Sequence, residues 1–278
     1  MTIVVVSPHL DDAVLSVPCF LRSRALGGER VIVLTVFSEG DAGHAERRAE
    51  DLAALALLGV EAVHLGLRDA PLRRGLERCF RALVLGALPG DDADAALVIG
   101  ALVDAIAALA PTVTLLPLGV GEHIDHRIVH AAHSRLPGPL GFYEDRPYAW
   151  VKHAVRARLL RLGATIDGET ITPSSVAAEE FMISAHVAPY IQAYVPANER
   201  ELCLRIVAAG LVAATPGPGL ALRSASLTFR AAERSAAALA VQAYASQQGD
   251  LFGDGGVEPW YAEPYVEQIH WRVEPFSP

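Results

Sequence analysis

The chain has 278 residues, 52% of them hydrophobic, and its 32 acidic and 23 basic side chains leave a formal charge of −9 at pH 7. That length suits one large α/β domain or two small ones, and the acidic balance excludes a nucleic-acid surface, which needs a basic stripe to neutralise phosphates. With no long apolar run, no polybasic anchor and no basic leader before the first strand, a soluble, cytoplasmic protein without membrane attachment is expected. Cys19, Cys79 and Cys203 are odd in number, far apart and set in apolar surroundings, and read as reduced core residues.

Residues 3–6 are β-branched and apolar without alternation, which predicts a strand covered on both faces, as in a parallel sheet. Pro8 has no N–H to continue the ladder. His9, Asp11 and Asp12 then crowd into four positions at the strand's carboxyl end, where open α/β sheets bind ligands. Two adjacent carboxylates repel each other, so keeping them beside a histidine calls for a compensating cation. One reading makes His9 and Asp12 metal ligands and leaves Asp11 as a base. The other makes Asp11 and Asp12 caps of the next helix, with His9 packed in a turn. The motif alone leaves both open.

A helix over 19–26, with Pro18 in its first turn and Gly27-Gly28 closing it, leads to an apolar strand over 30–37, a unit that crosses over right-handed. The polar loop 38–43 precedes a helix over 44–58 with Leu52, Leu55 and Leu58 on one face, stopped by Gly59. A third strand at 60–65 has the exit loop 66–69, so Asp69 emerges on the same edge as His9. Residues 72–88 read as helical or irregular, and Asp91-Asp92, with no strand behind them, as caps for a helix over 95–109. Pro111 ends that helix, and 112–116 is a fourth strand followed by the loop 117–122. His123-Ile124-Asp125-His126 then opens a helix to about 134, a second polar cluster at a strand's carboxyl end. If strand four lies near strand one, His126 supplies a third ligand. Two histidines and one carboxylate, with water in the fourth position, are the pattern of an open catalytic zinc site. His123 would sit near the metal, free to act on substrate.

These two motifs resemble those of the LmbE-like (PIG-L) family of zinc-dependent N-acetylglucosaminyl deacetylases, in which His-Pro-Asp-Asp-Glu pairs with a later His-x-x-His or His-Pro-Asp-His. Here they read His9-Leu10-Asp11-Asp12-Ala13 and His123-Ile124-Asp125-His126. The resemblance implies a Rossmann-like three-layer α/β fold, a mostly parallel sheet flanked by helices, with a smaller C-terminal α+β portion. It implies a single domain over 1–278, with the motif-bearing core at 1–148 and the portion 149–278 completing the fold and cleft. It further implies one Zn²⁺ per chain held by His9, Asp12 and His126, Asp11 as general base, and His123 at the tetrahedral oxyanion, with Asp125 orienting His123 or serving as an outer partner of a ligand. Arg48 resembles the arginine with which relatives grip the sugar, with Arg47 a close competitor, and Asp69 resembles the aspartate that holds sugar hydroxyls. The stretch 142–148 resembles a tyrosine-acid-proline segment lining the acceptor side of the cleft, and a fainter echo lies at 244–247. Leu10, Ala13 and the loop residues Gly119, Val120 and Gly121 depart from the common form. Because some members carry a tyrosine in that loop, no extra oxyanion donor is expected from it here.

The function implied is hydrolysis of an N-acyl group from an amino sugar or related small metabolite, with no nucleic-acid or membrane partner and a homo-oligomer left open. A magnesium-dependent phosphoryl-transfer enzyme and a non-catalytic Rossmann-like binding protein are the alternatives. Magnesium prefers oxygen ligands, whereas two histidines favour zinc. Beyond 149, helical stretches are expected over 151–162, 175–194 (interrupted by Pro189), 198–214 and 231–247. A loop and subdomain boundary is expected at 216–219, a strand at 220–229, a glycine-rich loop over the site at 249–256 and an edge strand at 267–273. His44, His64, His130, His133, His153, His186 and His270 are expected to be structural.

Overall fold

The computed structural model describes residues 1–74, 94–172, 188–195, 197–200, 219–262 and 264–273. Cys79, Asp91, Asp92, Cys203, His186, and most of the expected helix 198–214 and loop 216–219 lie outside them. Among the described residues, nine strands form one mixed sheet: β1 (Thr2–Ser7), β2 (Arg30–Glu39), β3 (Glu61–Arg68), β4 (Val113–Pro117), β5 (Leu140–Tyr143), β6 (Ala164–Ile166), β7 (Glu169–Thr170), β8 (Leu220–Thr228) and β9 (Val266–Arg272). Their order is β3-β2-β1-β4-β5-β9-β8-β6-β7. The strands β1 to β5 pair in parallel, whereas β9 runs antiparallel to both β5 and β8.

The unbroken apolar run of β1 is explained by two cores. Ile3 and Val5 pack on one face and Val4 and Val6 on the other, and all four are buried. Each aliphatic side chain buried in this way contributes roughly 1.5–3 kcal/mol. The first face is covered by α2 (Pro18–Leu26), α3 (Gly43–Leu58) and α9 (Ala231–Gln242) through Leu21, Leu55, Leu58 and Val241. The second is covered by α5 (Ala95–Leu109), α6 (Ile124–Ala131) and α7 (Ala154–Arg161) through Leu102, Ile106, Ile128 and Leu159. This is the expected three-layer α/β architecture. A short α1 (Asp12–Ser16) precedes α2, and α4 (Ala70–Arg74) follows β3 at once. Among the described residues no helix is long and apolar enough to cross a membrane.

Several elements differ from the sequence reading. Residues 140–143 form an interior strand, so Phe142 and Tyr143 are core residues and do not line a cleft; the Tyr143 hydroxyl donates to the Val6 carbonyl at 2.8 Å. The expected edge strand near the C-terminus, β9, lies inside the sheet between β5 and β8. Its half-polar alternation arises because one of its faces is not packed with apolar side chains. The expected glycine-rich loop begins as a helix, α10 (Gln248–Phe252), which buries Leu251 and Phe252. Pro189 stands in the first turn of α8 (Ala188–Tyr194), where its missing N–H costs nothing.

The inserted strand also ties the two ends of the chain together. Both carboxylate oxygens of Glu267 accept from the first turn of α2, Cys19 N–H and Phe20 N–H at 2.8 Å each, and Tyr265 donates to it as well. Burial, opposed by the Arg146 charge, pushes this carboxyl up to about 7.

Candidate active site

The polar turn after β1 is knitted by Ser7. Its hydroxyl donates to the His9 carbonyl at 2.6 Å and accepts from Ala13 N–H at 3.0 Å, while the His9 N–H donates to Asp12 Oδ2 at 2.8 Å. Leu10, where the common motif has proline, is buried in the core. The side chains of His9 and Asp12 are thereby fixed before any ligand arrives.

Because β4 pairs directly with β1, the second cluster lies beside the first. His9 Nδ1 is 3.1 Å and His126 Nε2 3.3 Å from the same oxygen, Asp12 Oδ2. His9, Asp12 and His126 form a set whose ligand atoms all lie within 4.8 Å of one another. The far nitrogen of each ring is held by a second carboxylate: His9 Nε2 lies 3.1 Å from Asp125 Oδ2, and His126 Nδ1 2.6 Å from Asp145 Oδ1. Carboxylate–histidine–metal arrangements use such partners to fix ring orientation and raise ligand basicity. His126 Nε2 is buried and has no hydrogen-bond partner. A divalent cation between these three atoms would satisfy it, and a donor set of two nitrogens and one oxygen suits zinc.

The electrostatics describe the same cation-shaped space. Burial alone would lower His9 and His126, but the Asp12 and Asp125 contacts raise His9 to about 9 and those of Asp12 and Asp145 raise His126 to about 10. Asp12 is subject to burial, yet the two imidazoles hold its carboxyl well below the usual range. Without a metal, protons on the rings thus neutralise the carboxylates. Asp11 behaves differently. Burial pushes it up to about 6 against the opposing charge of Arg47, whose Nη2 is 3.5 Å from Asp11 Oδ2.

His123 completes a ring of three imidazoles, its centroid 5.1 Å from His9 and 5.4 Å from His126. Its Nδ1 accepts the Asp125 N–H at 3.3 Å, capping α6 and leaving Nε2 to carry the proton of a neutral ring. Burial lowers it to about 3. The Asp125 carboxylate does not orient His123. It accepts from Ala70 N–H at 2.9 Å and Arg73 Nη2 at 2.7 Å besides meeting His9.

The flanking residues separate into those the fold brings in and those it does not. Arg47 reaches Asp11, whereas Arg48, one residue and about 100° further round α3, donates to the Ser38 carbonyl at 2.8 Å and pairs with Glu39 at 3.1 Å. Asp69, after β3, is partly buried; its Oδ2 lies 3.9 Å from His44 Nε2 and its Oδ1 has no partner. Tyr148 stands edge-on to His126 at 5.6 Å, and its hydroxyl lies 2.8 Å from that of Tyr190. Gly121, at φ 82°, makes room for that ring, since a Cβ there would lie 2.4 Å from it.

Asp145, which the sequence reading placed only within the 142–148 segment, is drawn into the cluster. It is fully buried, and besides holding His126 it accepts the N–H groups of Gly119 and Val120 at 2.8 and 2.9 Å. One carboxylate therefore fixes the His126 ring and the loop before His123. The available signal was the one used for His9, an acidic residue just past the carboxyl end of an apolar strand.

Comparison with known proteins finds one family model, a partial relative and shared folds. The family model described as PIG-L, GlcNAc-PI de-N-acetylase, matches residues 4–136. The 2'-N-acetylparomamine deacetylase of Streptomyces fradiae is 34% identical over 169 residues, covering 54% of this chain and 58% of the relative, so the chain matches little more than half of that protein's length. The crystal structure of a deacetylase–bog complex from the biosynthesis pathway of teicoplanin has a TM-score of 0.67 at 22% identity, with both chains fully covered. The zinc-inhibited form of the teicoplanin deacetylase Orf2 gives 0.65 at 21%, again over both whole chains. At these identities the solved structures establish a shared fold.

Proposed function

We propose that this chain, which over residues 4–136 belongs to the PIG-L (GlcNAc-PI de-N-acetylase) family, is a zinc-dependent hydrolase that removes the acetyl group from the amine of an N-acetylated amino sugar. The observation that carries this reading is the triangle of His9, Asp12 and His126, with both rings backed by carboxylates, beside a carboxylate that has no place in the triangle, Asp11. The relatives' names supply the substrate class: one acts on N-acetylparomamine and others are deacetylases of the teicoplanin pathway.

His9, Asp12 and His126 would hold one zinc ion, which supplies a water of lowered pKa and a Lewis acid for the amide carbonyl. Asp11 would accept a proton from the attacking water, and the Arg47 charge favours its ionised form despite burial. Negative charge collects on the carbonyl oxygen, where His123 donates from Nε2; one such donor is typically worth about 3–4 kcal/mol. Asp125 and Asp145 hold the two ligand rings, and Asp69 offers its unpartnered oxygen to a sugar hydroxyl. The test is acetate release from a panel of N-acetylated amino sugars, beside elemental analysis of protein purified without chelator. Stoichiometric zinc with acetate release is the expected result; magnesium in its place, or zinc with no turnover on any member, overturns the reading.

A further inference from the structure

A cavity of about 850 Å³ opens among α7, β6, β7, β8 and β9, on the far side of the β5 exit from the metal-ligand triangle. Asp145 faces His126, while its neighbour Glu144 lines this cavity. Its floor interrupts an otherwise apolar layer. Ser224 and Ser226 of β8 stand opposite His270 and Gln268 of β9, so four polar side chains form a block on one face of interior strands. They are joined to one another: Ser224 Oγ lies 2.7 Å from His270 Nδ1, His270 Nε2 3.0 Å from Glu144 Oε1, and Gln268 Nε2 donates to Ser226 Oγ at 2.7 Å. Interior strands normally carry apolar side chains there, and on the other face Leu227 and Ile269 do.

The walls are aliphatic, with Val155 and Leu159 from α7 and Ile166 from β6. At the exposed rim, the side chains of Asp167, Glu169 and Lys152 have no partner among the described residues. Arg156, the other cation, already donates to the Thr172 carbonyl at 3.0 Å. Two unpartnered carboxylates at the rim thus outnumber one unpartnered cation, which disfavours an anion, and the hydrogen-bonding floor disfavours an acyl chain. Neutral hydroxyl and amide groups below, aliphatic surface at the sides and spare carboxylates at the mouth match a polyhydroxylated ring with a free ammonium group. The volume falls within the ~300–1,000 Å³ of small-molecule sites.

We propose that this cavity is a second, non-catalytic binding site for an amino sugar or aminocyclitol. Lys152 is the chain's only lysine and lies on the rim, so reductive ¹³C-methylation, which keeps its charge, gives one side-chain NMR reporter at the cavity besides the amino terminus. D-Glucosamine titrated into the full-length zinc-loaded protein should shift the Lys152 signal saturably, and D-glucose should not. The double variant Asp167→Asn/Glu169→Gln should weaken the response roughly two- to thirtyfold, the range for losing two exposed charge contacts. Ser226→Ala should weaken it as well, while Asp12→Ala, which dismantles the metal triangle, should leave it unchanged. The absence of a saturable shift, an equal response to glucose, an unaltered titration in both cavity variants, or loss of the response in Asp12→Ala overturns the proposal.

Discussion

The parallel half of the sheet and its antiparallel half both carry polar clusters, built on different principles. Around β1 and β4 the polar groups stand beyond the strand ends, are mostly charged and buried, and converge on shared atoms, as three nitrogens do around Asp12 Oδ2. On β8 and β9 they stand in mid-strand at cross-strand positions, are mostly neutral, and lie half open to solvent. The difference teaches where each chemistry is affordable. Buried charge is tolerated at strand ends because loop N–H groups and neighbouring exits supply partners, whereas a strand face offers only what the adjacent strand carries.

Substitutions that separate the two regions begin with the ligands. Asp12→Ala or His126→Ala removes one of the three proposed ligands, so zinc content by elemental analysis and turnover should be lost together. Asp11→Asn should retain zinc while kcat falls by roughly 10²–10⁴, the contribution of a positioned general base. If Asp11→Asn loses its zinc and Asp12→Ala keeps it, the two carboxylates exchange roles. Asp145→Asn should weaken zinc binding by roughly 10–100-fold in competition with a chelator, an effect no change at Ser224 should reproduce.

On the antiparallel side the largest expected effect is on stability. Glu267 has its ordinary value of 4.5 raised to about 7 in the folded protein. Between those values the unfolded chain releases a proton that the native state keeps, so stability falls as pH rises through that window, by roughly 3 kcal/mol. Glu267→Gln should flatten the decline in Tm from pH 5 to pH 7.5; an unchanged slope would place the titrating group elsewhere. Smallest of all, Asp69→Ala should raise KM roughly tenfold with little change in kcat, because a bond to a sugar hydroxyl is present in ground and transition states alike.

What the sequence discloses follows the same division. The β1 and β4 exits are contiguous motifs, so the residue types and their spacing expose the cluster before any fold is known. Asp145 has no such spacing: it meets His126 only because β5 lies beside β4. Arg47 and Arg48 are adjacent and chemically alike, and only the rotation of α3 separates them. The polar alternation of residues 267–272 resembles an edge strand, because local pattern cannot distinguish open solvent from a cavity beneath one face. Glu267 carries no sequence signal either, since its partners are the first-turn amides of a helix near the other end of the chain.

The insertion of β9 between β5 and β8 has a consequence for synthesis on the ribosome. The strands bearing the polar cluster precede β9 in the chain, and among the described residues only β9 pairs with the outer edge of β5. An open, apolar strand edge is a template for pairing with other chains. While β9 is absent, the half of the sheet that carries the polar cluster exposes that edge. Pairing of β9 with β5 covers that edge.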